Sequence, residues 1–88
     1  MLKLAYSNQF LRDYKKHYKD TLSASWVEAI YFLLNNKPLP EKYRDHALTG
    51  NWKGFRDCHI KPDLVLIYEI EETALVLVRL GSHSELEL

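Results

Sequence analysis

Residues Arg44–Asp63 read RDHALTGNWKGFRDCHIKPD, and they hold two of the four histidines and two of the three glycines. The glycines indicate turns, and Phe55–Ile60 is predicted to be a strand. The following residues 61–63 (KPD) predict another turn, because proline cannot donate to a central β-ladder. A second polar patch, Arg79–His83 (RLGSH), ends the last apolar run. We expect the two patches to meet and form one site.

Apolar strands follow the Arg44–Asp63 stretch. Leu64–Ile70 (LVLIYEI) and Ala74–Leu80 (ALVLVRL) have the length and composition of strands, with a short polar turn between them. Together with Phe55–Ile60 they predict a three-stranded antiparallel meander. At the other end of the chain, Leu2–Tyr6 predicts a short N-terminal strand.

Two amphipathic helices are predicted between the first strand and the prolines at 38 and 40. Ser7 or Asn8 can cap the first helix, and Ser25 with Glu28 has the spacing of a capping box for the second. The aromatic residues assigned to the core on these helices are Tyr14, Tyr18, Trp26 and Tyr31. We expect the helices to form a hairpin that covers one face of the sheet, which gives an α+β fold.

Length and composition limit the class of protein. Eighty-eight residues, of which 47% are hydrophobic, fit a single folded domain spanning residues 1–88. No apolar run approaches the length of a membrane span and the N-terminus lacks a secretory pattern, so we expect a cytoplasmic protein. The one cysteine, Cys58, fits a reducing compartment.

The charges are unevenly distributed although the formal net charge is zero. Residues 1–63 contain eleven Lys and Arg against seven Asp and Glu, whereas residues 64–88 contain one against five. The first part could therefore present a basic surface to a polyanion. A mixed, solvated face explains the same numbers equally well.

Strand alternation predicts which polar residues share a face. In the first strand of the meander Asp57 and His59 should lie opposite Cys58, and in the last strand Arg79 should lie with Leu75 and Leu77. Strand ends and adjoining loops should then bring together five residues. They are His46, His59, Asp63, Arg79 and His83.

This set of residues suits RNA cleavage without a metal. One histidine can take the proton of a ribose 2′-OH and another can protonate the departing oxygen, while an arginine stabilises charge on the phosphate. Simpler roles stay open for several of these residues. Arg79 could pair with Glu69 or Glu71, Trp52 could be a packing residue, and His17 is expected to be an ordinary surface histidine.

The motifs are similar to those of a known family. Residues 43–63 (YRDHALTGNWKGFRDCHIKPD), the following LIY at 66–68 and the closing RLGSHS at 79–84 resemble the YafQ branch of the RelE/ParE toxin superfamily. The resemblance implies a RelE-like fold and a type II toxin. Such a toxin is a cofactor-free endoribonuclease that cuts messenger RNA on the ribosome and forms a heteromeric complex with its cognate antitoxin.

The resemblance also implies roles for individual residues. By position, His46, His59, Asp63 and His83 match the catalytic residues, with His46 or His83 as the acid or base, and Arg79 matches a phosphate-stabilising arginine. We further expect a set of RNA contacts near them. These are Trp52, Lys53, Arg56 and Lys61.

Two positions depart from the family pattern. Leu64 stands where many relatives have tryptophan, and Glu87 stands where an aromatic residue is thought to hold the scissile base. An anion there should repel RNA. An alternative is therefore a weakened enzyme that acts mainly as an antitoxin-binding partner or co-repressor. A ParE-like gyrase poison is disfavoured, because such relatives generally lack the histidines.

Cys58 raises two further chemical alternatives, a zinc site and a Cys–His nucleophile pair. Both require Cys58 and a histidine to converge on one point. Adjacent residues on a strand point to opposite faces, so the alternation of Cys58 and His59 argues against both alternatives.

Overall fold

The computed structural model describes residues 1–88 and contains five strands and two α-helices. In chain order these are β1 (Lys3–Tyr6), α1 (Asn8–Thr21), α2 (Ala24–Leu34), β2 (His46–Ala47), β3 (Arg56–Lys61), β4 (Leu64–Ile70) and β5 (Ala74–Gly81). The strands form one sheet in the order β1-β5-β4-β3-β2. The predicted α+β fold and the antiparallel meander β3-β4-β5 are confirmed.

The sheet extends beyond the meander on both sides. β1 pairs parallel with β5, and the two-residue β2 pairs antiparallel with β3. A turn of 3₁₀ helix at Glu41–Tyr43 precedes β2. β2 matters for the site because its pairing sets His46 opposite Asp57 on β3.

Serines begin both helices. The Ser7 hydroxyl accepts from the backbone nitrogen of Phe10 at 2.9 Å and donates to the Val78 carbonyl at 2.7 Å, so it joins α1 to β5. The cap of α2 is Ser23, which accepts from the Trp26 nitrogen at 3.3 Å. The predicted capping box at Ser25 is wrong, because the chain is already helical from Ala24 onward.

The helices cover one face of the sheet, as predicted. The core on this side is made of residues from both helices, the 3₁₀ turn at 41–43 and β3–β5: Phe10, Ala29, Leu33, Tyr43, Cys58, Ile60, Leu64, Leu66, Tyr68, Leu75, Leu77 and Leu80. A smaller cluster covers part of the other face with Val65, Ile67 and Leu86, against which Trp52 and Phe55 pack. The uncovered part of that face lies beside β2.

A bulge changes the predicted pattern of β5. Ile67 pairs with Arg79 and Tyr68 with Leu77, so Val78 is an extra residue in the ladder. An extra residue reverses the alternation after it. Leu80, not Arg79, therefore packs with Leu77 in the helix-side core.

Three tyrosines assigned to the core are exposed. Tyr14, Tyr18 and Tyr31 retain 39%, 46% and 54% of their accessible surface. α1 buries only Phe10 and Thr21, so its apolar stripe is narrower than its aromatic spacing suggested. Trp26 packs against the core as predicted. No helix of the structure is long and apolar enough to span a membrane.

Candidate active site

Strand β3 separates Cys58 from the polar residues beside it. Cys58 is fully buried in the helix-side core, where burial raises the pKa of its thiol. Asp57 and His59 point to the opposite face, as the alternation predicted. Cys58 and His59 therefore cannot bind one metal ion together or form a nucleophile pair. No group of three His, Cys, Asp or Glu side chains is arranged to hold a metal ion.

Three histidines converge on the open face of the sheet. The His59 ring lies between the other two, with its centroid 6.4 Å from that of His46 and 4.9 Å from that of His83. β2 supplies His46, β3 supplies His59, and the turn after β5 supplies His83. Burial lowers the pKa of His59, so its neutral form is favoured.

Asp63 holds His83 in place. Its Oδ1 accepts from the backbone nitrogen of His83 at 2.9 Å and lies 2.6 Å from ring Nδ1. Those two hydrogen bonds, the backbone one first, lower the pKa of the Asp63 carboxyl. Because a carboxylate can only accept, Nδ1 carries a hydrogen and Nε2 is the nitrogen left for substrate.

A backbone carbonyl orients His46 in a similar way. The His46 Nδ1 lies 2.8 Å from the Arg44 carbonyl oxygen, which can only accept, so Nδ1 is again the protonated nitrogen. Asp57 Oδ1 is 3.1 Å from the same nitrogen but forms no hydrogen bond with it, because the hydrogen is directed at Arg44. His46 Nε2 is thus free to exchange a proton.

Asp57 was not predicted as a site residue, yet it lies beneath the histidines. It is 2% exposed and its Oδ1 has no hydrogen-bond partner. Burial raises the pKa of its carboxyl, although the nearby His46, His59 and His83 act in the opposite direction. Strand alternation had placed Asp57 with His59. The missing signal was the pairing of β2 with β3, which the sequence does not show.

Two hollows meet at His59 and His83. The first, which we call the histidine hollow, has a volume of about 550 Å³ and is lined by His46, Leu48, Thr49, Asn51, Trp52, Asp57, His59, His83, Glu87 and Leu88. The second, which we call the basic hollow, has a volume of about 580 Å³ and is lined by Ser25, Lys42, Tyr43, Arg44, His59, Ile60, Lys61, Pro62 and His83. The two shared histidines form the boundary between them.

Arg79 is bound to α1 and does not line the histidine hollow. Its Nε and Nη2 donate to the two carboxylate oxygens of Asp13 at 2.8 and 3.4 Å. Burial disfavours the charged form of Asp13, but hydrogen bonds from Arg79 and from the Leu80 backbone outweigh it and lower the Asp13 pKa. The suggested pairing with Glu69 or Glu71 is wrong. Arg79 lies in a neighbouring hollow that shares Trp52 and Glu87 with the histidine hollow.

Comparison with known proteins identifies the family. A family model described as the bacterial toxin of type II toxin–antitoxin system, YafQ, matches residues 2–88. The chain belongs to the YafQ toxin family. The mRNA interferase toxin YafQ of Escherichia coli K12 is 40% identical to it over 87 residues, covering 94% of this chain and 92% of that protein.

Solved structures agree with this assignment. A copper-bound mutant toxin from Helicobacter pylori has a TM-score of 0.89 at 45% identity, with 98% of this chain and 99% of that chain covered. The DinJ–YafQ complex of E. coli contains a chain with a TM-score of 0.82 at 37% identity, with 98% of both chains covered. The YafQ resemblance and the RelE-like fold inferred from the motifs are confirmed.

The predicted RNA contacts of this YafQ-family toxin occupy different places. Trp52 lines the histidine hollow, and Lys61 lines the basic hollow with its Nζ 2.9 Å from Asp20. Arg56 is on the helix side of the sheet, where it donates to both oxygens of Asp45, so the structure does not bring it to the histidines. Lys53 is exposed and lines neither hollow.

The C-terminal turn closes one side of the histidine hollow. The Leu88 nitrogen donates to the His83 carbonyl at 2.9 Å, and the side chains of Glu87 and Leu88 line the hollow beside Trp52. Glu87, at the position where the family resemblance implies an aromatic residue, has a positive φ of 57°. An anion therefore does stand at the edge of the candidate site.

Proposed function

We propose that this YafQ-family toxin is an endoribonuclease that cleaves messenger RNA on the ribosome by acid–base chemistry and is neutralised by a cognate antitoxin. The observation that carries the proposal is the convergence of His46, His59 and His83 on one hollow, with Asp57 and Asp63 beside them. The mRNA interferase YafQ of E. coli, 40% identical, supports the same reaction class.

The two outer histidines suit proton transfer. An in-line attack needs a base and an acid on opposite sides of the phosphorus, and His46 and His83 flank the central His59. One of the two takes the 2′-OH proton on Nε2. The 2′-oxygen then bonds to phosphorus as the bond to the 5′-oxygen breaks, and the other histidine gives its Nε2 proton to that oxygen. The products are a 2′,3′-cyclic phosphate and a 5′-hydroxyl.

The carboxylates and the central histidine prepare this reaction. Asp63 fixes the tautomer of His83, and its negative charge balances an imidazolium at that position. His59, whose neutral form is favoured because burial lowers its pKa, donates a hydrogen bond to a phosphate oxygen. Arg79 adds positive charge from the neighbouring hollow with Nη1, which is not used in the contact with Asp13.

The predicted RNA contacts differ in how well their positions suit RNA binding. They are Trp52, Lys53, Arg56 and Lys61. Trp52 is in position for a base in the histidine hollow, and Lys61 is in position for a phosphate in the basic hollow. Lys53 would contact RNA or ribosome outside both hollows. Arg56 would need to leave Asp45 to do so, and we propose that its role is structural.

Glu87 supports a second candidate function. Glu87 lines both the histidine hollow and the hollow of Arg79, where a carboxylate would repel phosphate. If this repulsion limits cleavage, the chain retains the toxin fold and the antitoxin-binding surface but cleaves RNA slowly. It then serves mainly as an antitoxin partner or co-repressor. The solved complex of E. coli YafQ with DinJ supports an antitoxin as the partner in either case.

Expression in a bacterial host tests the proposal. We expect the wild-type chain to arrest growth and to cleave messenger RNA, and we expect both effects to disappear in His83→Ala and Arg79→Ala. Lys15→Ala, which removes an exposed cation on α1, serves as a control and should arrest growth normally. Folding of each variant is checked by circular dichroism. Growth arrest that persists in folded His83→Ala would contradict the proposal.

A further inference from the structure

Fixed positive charge is absent from the hollow in which the histidines converge. No Lys or Arg lines the histidine hollow, whereas Asp57 and Glu87 both do. Arg79 lies outside it, and Asp13 balances its charge. Proteins bind single-stranded nucleic acid largely through cations that track the phosphate backbone. Apart from Arg79, the strand must therefore find further cations along its path.

Cations are concentrated in the basic hollow on the other side of His59 and His83. Lys42, Arg44 and Lys61 line it, and no Asp or Glu does. Since the two hollows share His59 and His83, a strand that places its scissile phosphate at the histidines continues directly into the basic hollow. The next phosphate along that strand would lie among these three cations.

Arg44 differs from the two lysines of the basic hollow. Lys42 Nζ is 3.2 Å from Glu28, and Lys61 Nζ is 2.9 Å from Asp20. Arg44 is exposed and has no carboxylate partner within ion-pairing distance. It supplies the uncompensated charge of the hollow, in a planar form that suits phosphate oxygens.

The backbone of Arg44 is also in an uncommon conformation. Its φ of 50° and ψ of 42° are in the left-handed region, which costs energy for a residue with a side chain. This conformation ends the 3₁₀ turn at Glu41–Tyr43, and the Arg44 carbonyl is the acceptor that orients His46. One residue thus links the geometry of the histidines to the charge of the basic hollow.

We propose that Arg44, with Lys42 and Lys61, binds a phosphate of single-stranded RNA next to the scissile one. The inference rests on the proposed function for the path of the strand across the histidines. Arg44 acts as a binding residue through its side chain and as a positioning residue for His46 through its carbonyl.

A binding measurement tests the inference separately from cleavage. The probe is a fluorescent twelve-nucleotide RNA with 2′-O-methyl groups throughout, which cannot be cut, and anisotropy gives its Kd at several salt concentrations. Arg44→Gln should weaken binding about fivefold or more at low salt and reduce the slope of log Kd against log salt by about 0.7, the loss of one phosphate contact. Arg44→Lys should restore most of the slope.

Matched variants give the controls. Arg12→Gln makes the same change at an exposed arginine on α1 outside both hollows, and it should bind like the wild type. Asparagine tolerates the left-handed region, so Arg44→Asn removes the guanidinium without disturbing the backbone of the turn. Wild-type binding and slope in both Arg44→Gln and Arg44→Asn would overturn the inference, and so would a wild-type chain that fails to bind the probe at low salt.

The two proposals fail in different ways. If the wild-type chain binds the probe through Arg44 but does not cut messenger RNA, the proposed function is overturned and the phosphate site is supported. If cleavage depends on His83 but RNA binding is unchanged in the Arg44 variants, the proposed function is kept and the phosphate site is overturned.

Discussion

Asp63 anchors His83 at two points, because one carboxylate oxygen lies 2.9 Å from the backbone nitrogen and 2.6 Å from ring Nδ1. The β3–β4 turn and the segment after β5, twenty residues apart in sequence, are joined by this pair. The turn thus fixes both the position and the tautomer of a histidine that belongs to a different part of the chain.

Asp63→Asn should slow cleavage by roughly 10²-fold, because the amide keeps the shape but loses the charge that balances an imidazolium. The loss should fall mainly on kcat, with KM little changed. Single-turnover cleavage of messenger RNA on ribosomes measures it. Glu72→Gln, which removes an exposed acid distant from the hollows, is the control. A variant that loses only substrate affinity would contradict the role given to Asp63.

Asp57→Asn should stabilise the protein at neutral pH, because it removes a buried carboxylate whose Oδ1 has no hydrogen-bond partner. Burial raises the Asp57 pKa above its unfolded value of 3.8. Between the unfolded pKa and the raised folded pKa of Asp57, the folded state binds more protons than the unfolded state. The free energy of unfolding therefore falls as pH rises through this range. Urea unfolding between pH 4 and pH 8 should show this fall in the wild type and a smaller one in Asp57→Asn. If stability depended on pH equally in the wild type and in Asp57→Asn, Asp57 would not be the cause of this fall.

Glu85→Gln should reduce the amount by which the free energy of unfolding falls at acid pH. Lys16, the Ser82 backbone nitrogen and His17 together lower the pKa of Glu85 to about 2 from 4.5. The carboxylate therefore contributes stability above pH 4.5 that is lost as pH falls toward 2. Urea unfolding from pH 7 to pH 2.5 measures it, with Glu72→Gln as control. A wild type and a Glu85→Gln variant that lose stability in parallel would rule out this contribution.

Glu87→Phe and Glu87→Gln separate two effects of the C-terminal carboxylate. If Glu87 repels RNA, both variants should cleave faster than the wild type, since both remove the charge from the histidine hollow. If an aromatic ring is also needed to hold a base, Glu87→Phe should exceed Glu87→Gln. Unchanged rates in both would show that Glu87 does not limit cleavage and would remove the basis of the weakened-toxin alternative.

Much of the fold was predictable because its signals are local. The period-2 alternation in β3 placed Asp57 and His59 opposite Cys58, and the apolar runs of β4 and β5 defined the meander. Ser7 as a helix cap was among the predictions as well. Each of these depends on residues within a few positions of one another.

The errors arise where distant residues decide the structure. The bulge at Val78, which moves Arg79 away from Leu77, depends on the register against β4. The Arg79 partner, Asp13, is 66 residues away in sequence. His17 is the surface histidine that was expected, but its contact with Glu85 at 3.0 Å, 68 residues away, was not predicted. No local pattern specifies such pairs.

The most direct test is cleavage of a messenger RNA in a reconstituted translation system by the wild type and by His83→Ala. We expect cuts that require the ribosome and that fall by about 10²-fold or more in the variant, which is what a proton-transfer residue contributes. Equal cleavage by the wild type and by a folded His83→Ala variant would contradict the claim that the converging histidines carry the reaction.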